Sequence, residues 1–239
     1  NGYALTRPPG HHAIADQGMG GCIFCNSAIT GRHLLEARGL GRIAFVDWDV
    51  HHGNGTEAAF WTDSRALTIS IHQDGVFPPD RGRVSQAGEG EGEGYNINVP
   101  LPAGSGVGAY EAAFDRVIVP SLKAYRPDMI VVPSGLDADI FDPMGHQMMT
   151  SEGYRSLAAK LMGVAEEVCG GRIIMLHEGG YSAATVPYIG LAIIEELSGI
   201  RTGISDPFLE GAAGYAGQDL QPHQDAMISE AETLVEGLK

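Results

Sequence analysis

The sequence predicts an α/β domain built on a central, mostly parallel β-sheet. Short apolar runs rich in β-branched residues alternate along the chain with stretches of helical apolar spacing, which is the pattern of βαβ units. Several of the runs are apolar at nearly every position, as expected for strands that helices cover on both faces. The chain has 239 residues and no visible linker, so we expect a single domain over residues 1–239.

The apolar runs and helical stretches give the order of the elements. The predicted strands are residues 3–6, 42–48, 66–71, 95–101, 128–133 and 172–177. The predicted helices are residues 22–38, 54–62, 107–125, 151–169 and 184–198, followed by a Gly-rich irregular stretch over 202–220 and a terminal helix over 223–238. The first residues already form a strand pattern without an initiator Met, so we expect the chain to be a fragment.

Composition and charge exclude several classes of protein. The formal net charge is −15, from 15 Lys and Arg against 30 Asp and Glu, which argues against nucleic-acid binding because such proteins need a basic face. No apolar run reaches the roughly 18 residues of a membrane helix, so we expect no membrane partner. Three cysteines are too few and odd in number for a disulfide framework, which favours a cytoplasmic protein. We interpret Cys22 and Cys25, in a C-x-x-C pattern, as small buried residues and not as a redox or zinc pair.

Charged side chains follow the second predicted strand. Alternate residues of an extended chain share a face, so Asp47, Asp49 and His51 would lie on one side. Two carboxylates and an imidazole are costly to bury there unless they are paired or bind a metal. Asp137 follows the fifth predicted strand, and the carboxyl ends of parallel strands share one sheet edge. Asp49, His51 and Asp137 would supply three ligands and leave a position open, the pattern of a catalytic zinc site.

Polar residues also follow the first and last predicted strands. His11 and His12 lie in a loop rich in Gly and Pro, and general acid–base work is the better role for them if the metal already has three ligands. Tyr181 follows Gly179 and Gly180, where its phenol would stabilise developing negative charge. Each of these features alone is also compatible with an ordinary loop or turn.

Taken together, four motifs resemble the histone deacetylase family, in particular its class II and bacterial deacetylase-like amidohydrolase branch. They are Arg-Pro-Pro-Gly-His-His-Ala from residue 7, Val-Asp-Trp-Asp-Val-His-His-Gly-Asn-Gly-Thr from residue 46, Asp137 with Asp142-Pro, and Glu-Gly-Gly-Tyr from residue 178. The resemblance extends from about Tyr3 to about Leu197. It implies the three-layer arginase–deacetylase fold, N-terminally truncated here, and zinc-dependent hydrolysis of acetyl-lysine or a related N-acyl amide.

The resemblance also implies catalytic roles for five residues. His12 resembles the general base of the family, and His11 resembles an electrostatic helper. Asp47 resembles the carboxylate partner of His11. Asn54, where class I members have Asp, resembles the partner of His12, and Tyr181 resembles the oxyanion donor.

Metal sites are implied in the same way. Zn²⁺ would be held by Asp49, His51 and Asp137, and Fe²⁺ would suit the same nitrogen and oxygen ligands. The family also binds K⁺ or Na⁺ near the zinc, at two sites. The first resembles the backbone of Asp47, Asp49 and His51 together with Ser70, and the second resembles Phe60, Asp63, Ala66 and Tyr95.

The implied substrate tunnel departs from the family pattern. Its lining residues resemble Gly20, Gly21, Phe77, Met144, Gly179 and Gly180. Gly21 stands where family members usually carry Phe, so one aromatic wall is missing and larger acyl groups would be admitted. Met144 stands where a polyamine-selective branch carries Glu, which weighs against free polyamines. Family domains also begin well before the first motif of this chain, so part of the pocket rim has no counterpart here.

Other functions stay open beside a deacylase of acylated lysines or N-acyl amines. One is an acetylpolyamine or small-molecule amidohydrolase, and another is a catalytically weak acetyl-lysine binder. A dinucleotide enzyme is disfavoured, because the Gly104–Gly108 spacing departs from G-x-G-x-x-G. We interpret Asp139 and Asp142 as turn or cap residues. A homo-oligomer is left open.

Overall fold

The computed structural model describes residues 1–238 and contains a sheet of six parallel strands. The strands are β1 (Gly2–Ala4), β2 (Ile43–Asp47), β3 (Ala66–Gln73), β4 (Asn96–Leu101), β5 (Met129–Ser134) and β6 (Ile173–His177). Their order in the sheet is β1-β6-β5-β2-β3-β4, and every neighbouring pair is parallel. The α/β architecture expected from the sequence is confirmed, and each strand lies close to its predicted position.

Helices connect the strands and flank the sheet. They are α1 (Asn26–Arg32), α2 (Asn54–Phe60), α3 (Val107–Ala113), α4 (Val119–Tyr125), α5 (Ser151–Cys169), α6 (Val186–Ser198), α7 (Leu209–Ala213) and α8 (Pro222–Glu232). A π-helical segment, His33–Ala37, extends α1, and another, Phe114–Ile118, joins α3 to α4. Short 3₁₀ turns lie at Gly90–Gly92 and Val235–Gly237. None of the helices within residues 1–238 combines the length and apolar character that crossing a bilayer requires.

Both faces of the sheet are covered, which explains the continuous apolar runs. Val46 and Trp48 belong to the larger core, which also contains residues of α3, α4 and α5. Ile43 and Phe45 belong to a second cluster on the other face, where the Phe45 and Phe60 rings stack with centroids 5.0 Å apart. All five residues of β2 are therefore buried. The molecule has the three layers that the resemblance implies.

Helix limits differ from the prediction at both ends of the chain. The first helix begins at Asn26 instead of residue 22, because the Cys22 amide donates to the Met19 carbonyl in a turn (2.8 Å). The terminal helix ends at Glu232, where the Thr233 hydroxyl donates back to the Glu230 carbonyl (2.7 Å) and competes with further helix. Within the predicted irregular stretch, α7 forms one short helix.

The strand order determines where a functional site can form. β1, β6, β5 and β2 are consecutive neighbours, and all run in the same direction. The loops that follow these four strands therefore meet along one edge of the sheet, where open parallel sheets bind ligands. Three motifs of the resemblance begin in these loops, and the fourth begins at Val46, near the end of β2, and continues into the loop that follows.

Candidate active site

The first functional side chains follow the end of β2. Trp48 and Val50 remain in the larger core, while Asp47, Asp49 and His51 lie outside it, buried among polar groups. Asp47 Oδ1 accepts the Asp49 backbone N–H at 3.1 Å, and Asp49 Oδ1 accepts that of His51 at 2.9 Å. The alternation predicted from the sequence thus continues past the end of the strand, held by the side chains themselves.

Asp137, from the loop after β5, completes a group with Asp49 and His51. One potential ligand atom from each residue lies within 4.8 Å of the other two. His51 Nδ1 is 3.0 Å from Asp49 Oδ1 and 3.2 Å from Asp137 Oδ2. Within residues 1–238 this is the one such group of His, Cys, Asp or Glu. Its members are the three residues predicted to bind zinc.

Backbone groups hold both carboxylates in place. Gly179 donates its N–H to Asp49 Oδ2 at 2.9 Å, and a Cβ at Gly179 would overlap carboxylate oxygens of Asp49 and Asp137. Only glycine allows the end of β6 to come this close. On the other side, Val50 donates its N–H to Asp137 Oδ1 at 2.9 Å. These bonds orient the two carboxylates around His51.

Within this group, the carboxylate of Asp137 is not fully satisfied by the protein groups around it. Asp137 Oδ2 has no well-formed hydrogen bond within residues 1–238. Burial and the neighbouring carboxylate of Asp49 raise the pKa of Asp137 to about 7. Burial acts in the opposite direction on His51, yet the adjacent carboxylates of Asp137 and Asp49 raise its pKa to about 10. A positive charge is therefore favoured between two buried carboxylates, and the donor set fits a divalent metal ion.

His11 and His12 lie next to this group with their rings 4.0 Å apart. His11 Nδ1 is 2.9 Å from Asp47 Oδ2, and its Nε2 is 3.6 Å from Asp49 Oδ2. Although burial opposes it, the carboxylates of Asp49 and Asp47 raise the pKa of His11 well above its usual value. His11 is thereby favoured in its charged form.

His12 is the neutral member of the pair. Burial and the adjacent His11 lower the pKa of His12 to about 3. Its Nδ1 is 2.8 Å from Asn54 Oδ1, while Asn54 Nδ2 donates to the His12 carbonyl at 3.1 Å. The amide orientation fixes Oδ1 as an acceptor, so Nδ1 carries the proton and Nε2 keeps its lone pair. A neutral imidazole with a free Nε2 can accept a proton.

Tyr181 lies at the opening of the site, and its side chain is about half-exposed. Its backbone N–H donates to Asp142 Oδ2 at 2.6 Å, and Asp142 Oδ1 accepts the Met144 N–H at 2.8 Å. Burial, together with Asp49 and Asp137, raises the pKa of the Tyr181 phenol, so that it stays protonated. Beyond the turn role that the sequence predicts, Asp142 joins the Tyr181 segment to the Met144 rim.

Two of the predicted tunnel residues, Phe77 and Gly20, lie against His12. Phe77 meets the His12 ring edge-to-face with centroids 4.9 Å apart. A Cβ at Gly20 would overlap the His12 ring, so the Gly20 backbone lies directly against it. At Gly21, in contrast, a Cβ would meet only Pro9 Cγ, at 3.9 Å. Met144 is largely exposed.

The residues predicted to bind monovalent cations also come together in pairs. Asp47 and Ser70 face each other in the β2–β3 register. Three backbone hydrogen bonds link the residues of the second site. The Asp63 N–H donates to the Phe60 carbonyl at 3.0 Å, the Ala66 N–H to the Asp63 carbonyl at 3.1 Å, and the Thr68 N–H to the Tyr95 carbonyl at 2.9 Å. Both cation sites stay predictions.

Two weaker sequence signals have structural explanations. Cys22 and Cys25 are free; Cys22 is buried as predicted, whereas Cys25 is only half-buried, with its sulfur 3.3 Å from Ser27 Oγ. At the start of α3, Gln218 accepts the Val107 N–H through its side chain and the Gly108 N–H through its carbonyl. The chain itself therefore occupies the position that a dinucleotide phosphate would need.

One buried residue of the site, Glu178, has no role predicted from the sequence. Glu178 Oε2 accepts the backbone N–H groups of Gly10 and His11 at 2.5 and 3.1 Å. Burial and Asp47 raise the pKa of Glu178 to about 7, with His11 acting in the opposite direction. Its position in the Glu-Gly-Gly-Tyr motif was the available signal.

Comparison with known proteins gives a consistent family. The Histone deacetylase domain family matches residues 1–197. The chain is 47% identical over 207 residues to the histone deacetylase-like amidohydrolase of Pseudomonas aeruginosa, covering 87% of this chain and 54% of that protein. It is 40% identical over 200 residues to a probable deacetylase of Archaeoglobus fulgidus, covering 83% and 55%. The chain spans about half the length of these curated relatives.

Solved structures agree with the sequence matches. The HDA15 HD domain has a TM-score of 0.86 at 32% identity, over 100% of this chain and 64% of that one. The histone deacetylase Clr3 has a TM-score of 0.81 at 31% identity, over 99% and 37%. The predicted arginase–deacetylase fold is thereby confirmed. On its sequence, its fold and the residues at its strand ends, this chain belongs to the histone deacetylase family.

Proposed function

We propose that this chain carries the catalytic site of a zinc-dependent amidohydrolase that removes acetyl or larger acyl groups from lysine side chains or related amines. The observation that carries the proposal is the buried group of Asp49, His51 and Asp137 beside a pair of buried histidines. Membership in a family that includes deacetylases and amidohydrolases supports it. Three protein ligands leave a coordination position for water or substrate.

A zinc ion held by these residues would polarise the amide carbonyl and lower the pKa of a water molecule. The proton transfers belong to the protein. His12 Nε2 accepts a proton from the attacking water, because Asn54 holds the proton of its other ring nitrogen. A protonated histidine then returns a proton to the nitrogen of the departing amine. His11, paired with Asp47, adds positive charge next to the reacting atoms.

Tyr181 supplies the second source of charge stabilisation. Its phenol keeps its proton under neutral conditions and can donate to the oxyanion that forms when the amide carbon becomes tetrahedral. Asp142 accepts the Tyr181 backbone N–H and thereby fixes the position of the Tyr181 backbone at the rim of the site. Gly179 contacts Asp49, and only Gly180 separates it from Tyr181 in the sequence.

The acyl preference follows from the open side of the tunnel. Phe77 supplies one aromatic wall next to His12, whereas the space beside Gly21 contains no side chain within contact distance except Pro9. A wider channel of this kind accepts acyl groups bulkier than acetyl. We include in the proposal a structural K⁺ or Na⁺ at the sites described above and a cytoplasmic setting.

The proposal is tested by metal content and deacylase activity of the chain and of its Tyr181→Phe variant. Fluorogenic acetyl-lysine, longer acyl-lysine and acetylpolyamine substrates are compared. We expect about one zinc per chain in both proteins and a fall in kcat of about 10²–10³-fold in the variant. Longer acyl-lysines should be turned over at least as well as acetyl-lysine.

Two outcomes would contradict the proposal, and a third would change its substrate class. Absence of metal in the folded protein would reject the ligand assignment of Asp49, His51 and Asp137. Zinc without turnover in the wild-type chain would favour a binder over an enzyme. Faster turnover of acetylpolyamines than of acyl-lysines would replace the substrate class and leave the reaction unchanged.

A further inference from the structure

Glu178 is a buried carboxylate that the proposed reaction does not use. It follows β6 directly and is 5% exposed. Its Oε2 accepts the N–H groups of Gly10 and His11, and its Oε1 has no hydrogen-bond partner within residues 1–238. Leaving the buried Oε1 unsatisfied is costly. An ordinary strand-to-helix turn therefore does not explain a glutamate at this position.

The loop that carries the two histidines depends on this carboxylate. Pro8 and Pro9 have no N–H, so Gly10 and His11 supply the first backbone donors after the two prolines. Two successive N–H groups that converge on one anion form a small anion-binding concavity. A carboxylate oxygen has two lone pairs, so Oε2 alone can accept both N–H groups.

The opposite side of the same loop is held by α2. The Gly55 N–H donates to the His11 carbonyl at 2.8 Å, and the Asn54 side chain donates to the His12 carbonyl at 3.1 Å. Glu178 and α2 therefore hold the backbone of His11 and His12 from two directions. The positions of both imidazoles relative to the metal group follow from this arrangement.

We propose that Glu178 is a positioning residue for the deacylation reaction: by accepting the N–H groups of Gly10 and His11, it sets the position of the His11–His12 pair next to Asp49. This inference rests on the proposed function. His11 Nε2 lies 3.6 Å from Asp49 Oδ2, a contact that a small rotation of the loop would lose. A displacement of about 1 Å is sufficient to cost about 10²-fold in rate.

The test compares Glu178→Leu and Glu178→Gln with a matched control in the full chain. Glu195, on α6, is likewise buried and accepts a backbone N–H, from Thr202 at 2.6 Å, but lies outside the site. Glu195→Leu thus removes a buried carboxylate from a backbone donor without touching the histidine loop. The measurements are kcat, KM, zinc content and amide hydrogen exchange over residues 8–13.

We expect Glu178→Leu to lower kcat by about 10²-fold, to leave KM within about twofold, and to leave zinc content unchanged. Amide exchange over residues 8–13 should become faster. Glu178→Gln keeps a neutral acceptor and should lower kcat by about three- to tenfold. Glu195→Leu should lower Tm but leave kcat and the exchange of residues 8–13 unchanged.

The proposal is wrong if Glu178→Leu keeps kcat within about threefold, or if it loses kcat only to the extent that Glu195→Leu does. If Glu178→Leu does not fold, Glu178→Ala, which removes the acceptor without adding a larger apolar side chain, takes its place, and wild-type kcat in that variant would reject the role. Inactivity of the wild-type chain would instead reject the proposed function. In that case, unchanged amide exchange over residues 8–13 in the Glu178 variants would show that Glu178 does not position this loop, and faster exchange would support the positioning role.

Discussion

Charged clusters lie at both ends of the central sheet, and their surroundings differ. The carboxyl-end cluster consists of Asp47, Asp49, His51 and Asp137, all of them buried. The amino-end cluster, before β3, consists of Asp63, Arg65 and Arg32, with the side chains of the two arginines 45% and 43% exposed. Aspartate is the acidic residue in both clusters, but the available partners are different.

At the amino end, each charge has an oppositely charged protein partner, and both arginines remain open to solvent. Asp63 Oδ2 is 2.8 Å from both arginines, and the hydrogen bond to Arg65 lowers the pKa of Asp63 to about 2. At the carboxyl end, burial raises the pKa of Asp137, and within residues 1–238 its Oδ2 lacks a hydrogen bond. The difference shows that burial without a neighbouring guanidinium leaves the carboxylate of Asp137 incompletely satisfied by the protein.

The sharpest contrast between the clusters should appear on removal of one member. In His51→Ala, we expect zinc content to fall to near zero and turnover to fall by at least about 10³-fold, because only two ligands remain. Arg65→Ala, the control from the amino-end cluster, should retain zinc and turnover. Metal analysis and initial rates on both variants check this. Equal losses in the two variants would remove the distinction between the clusters.

Metal should also stabilise the fold through the carboxyl-end cluster alone. A cation between Asp49 and Asp137 offsets buried negative charge, so zinc at 100 times its Kd should raise the free energy of unfolding by about 2.7 kcal/mol. Denaturant unfolding of chelator-treated and zinc-loaded protein measures this. The same zinc addition to His51→Ala should give almost no increase. A similar increase in both proteins would indicate binding elsewhere.

The fold and the ligand group could be predicted because both depend on local sequence patterns. β2 is buried on both faces, so its apolar run marks a central strand. The helix predicted over 151–169 matches α5, because its N-cap Thr150 and its C-cap Gly170, with φ of 60°, are local signals. Asp47, Asp49 and His51 were separable from the core by alternation alone.

Other features of the site depend on contacts between distant segments and could not be predicted. Glu178 binds backbone N–H groups 168 and 167 residues away; its place in the Glu-Gly-Gly-Tyr motif marks the residue but not these partners. The proton position on His12 depends on how the Asn54 amide is oriented by the His12 carbonyl. Half-burial of Cys25 likewise depends on what packs against the start of α1.

Two adjacent glycines beside the carboxyl-end cluster allow a finer test. Gly20 and Gly21 have φ of 57° and 78°, so alanine at either should cost about 1–2 kcal/mol of stability. Only Gly20→Ala places a methyl group against the His12 ring, so we expect its kcat to fall by about 10- to 100-fold more than that of Gly21→Ala. Thermal unfolding and steady-state kinetics of the pair separate the two effects. Equal kcat values would mean that His12 tolerates displacement.

The smallest expected effect belongs to the amino-end cluster. The folded-state pKa of Asp63, about 2, lies below its usual value of 3.8, so its contribution to stability is complete above about pH 4 and is lost as the pH falls through about 2. Because both arginines are substantially exposed, we expect Asp63→Asn to cost at most about 1 kcal/mol at pH 7. Denaturant unfolding of both proteins between pH 7 and pH 3 should show this difference shrinking with acidity and with added salt. A larger, salt-independent difference would mean that Asp63 supports the fold through its backbone turn, and the two clusters would then differ less in kind than their exposure indicates.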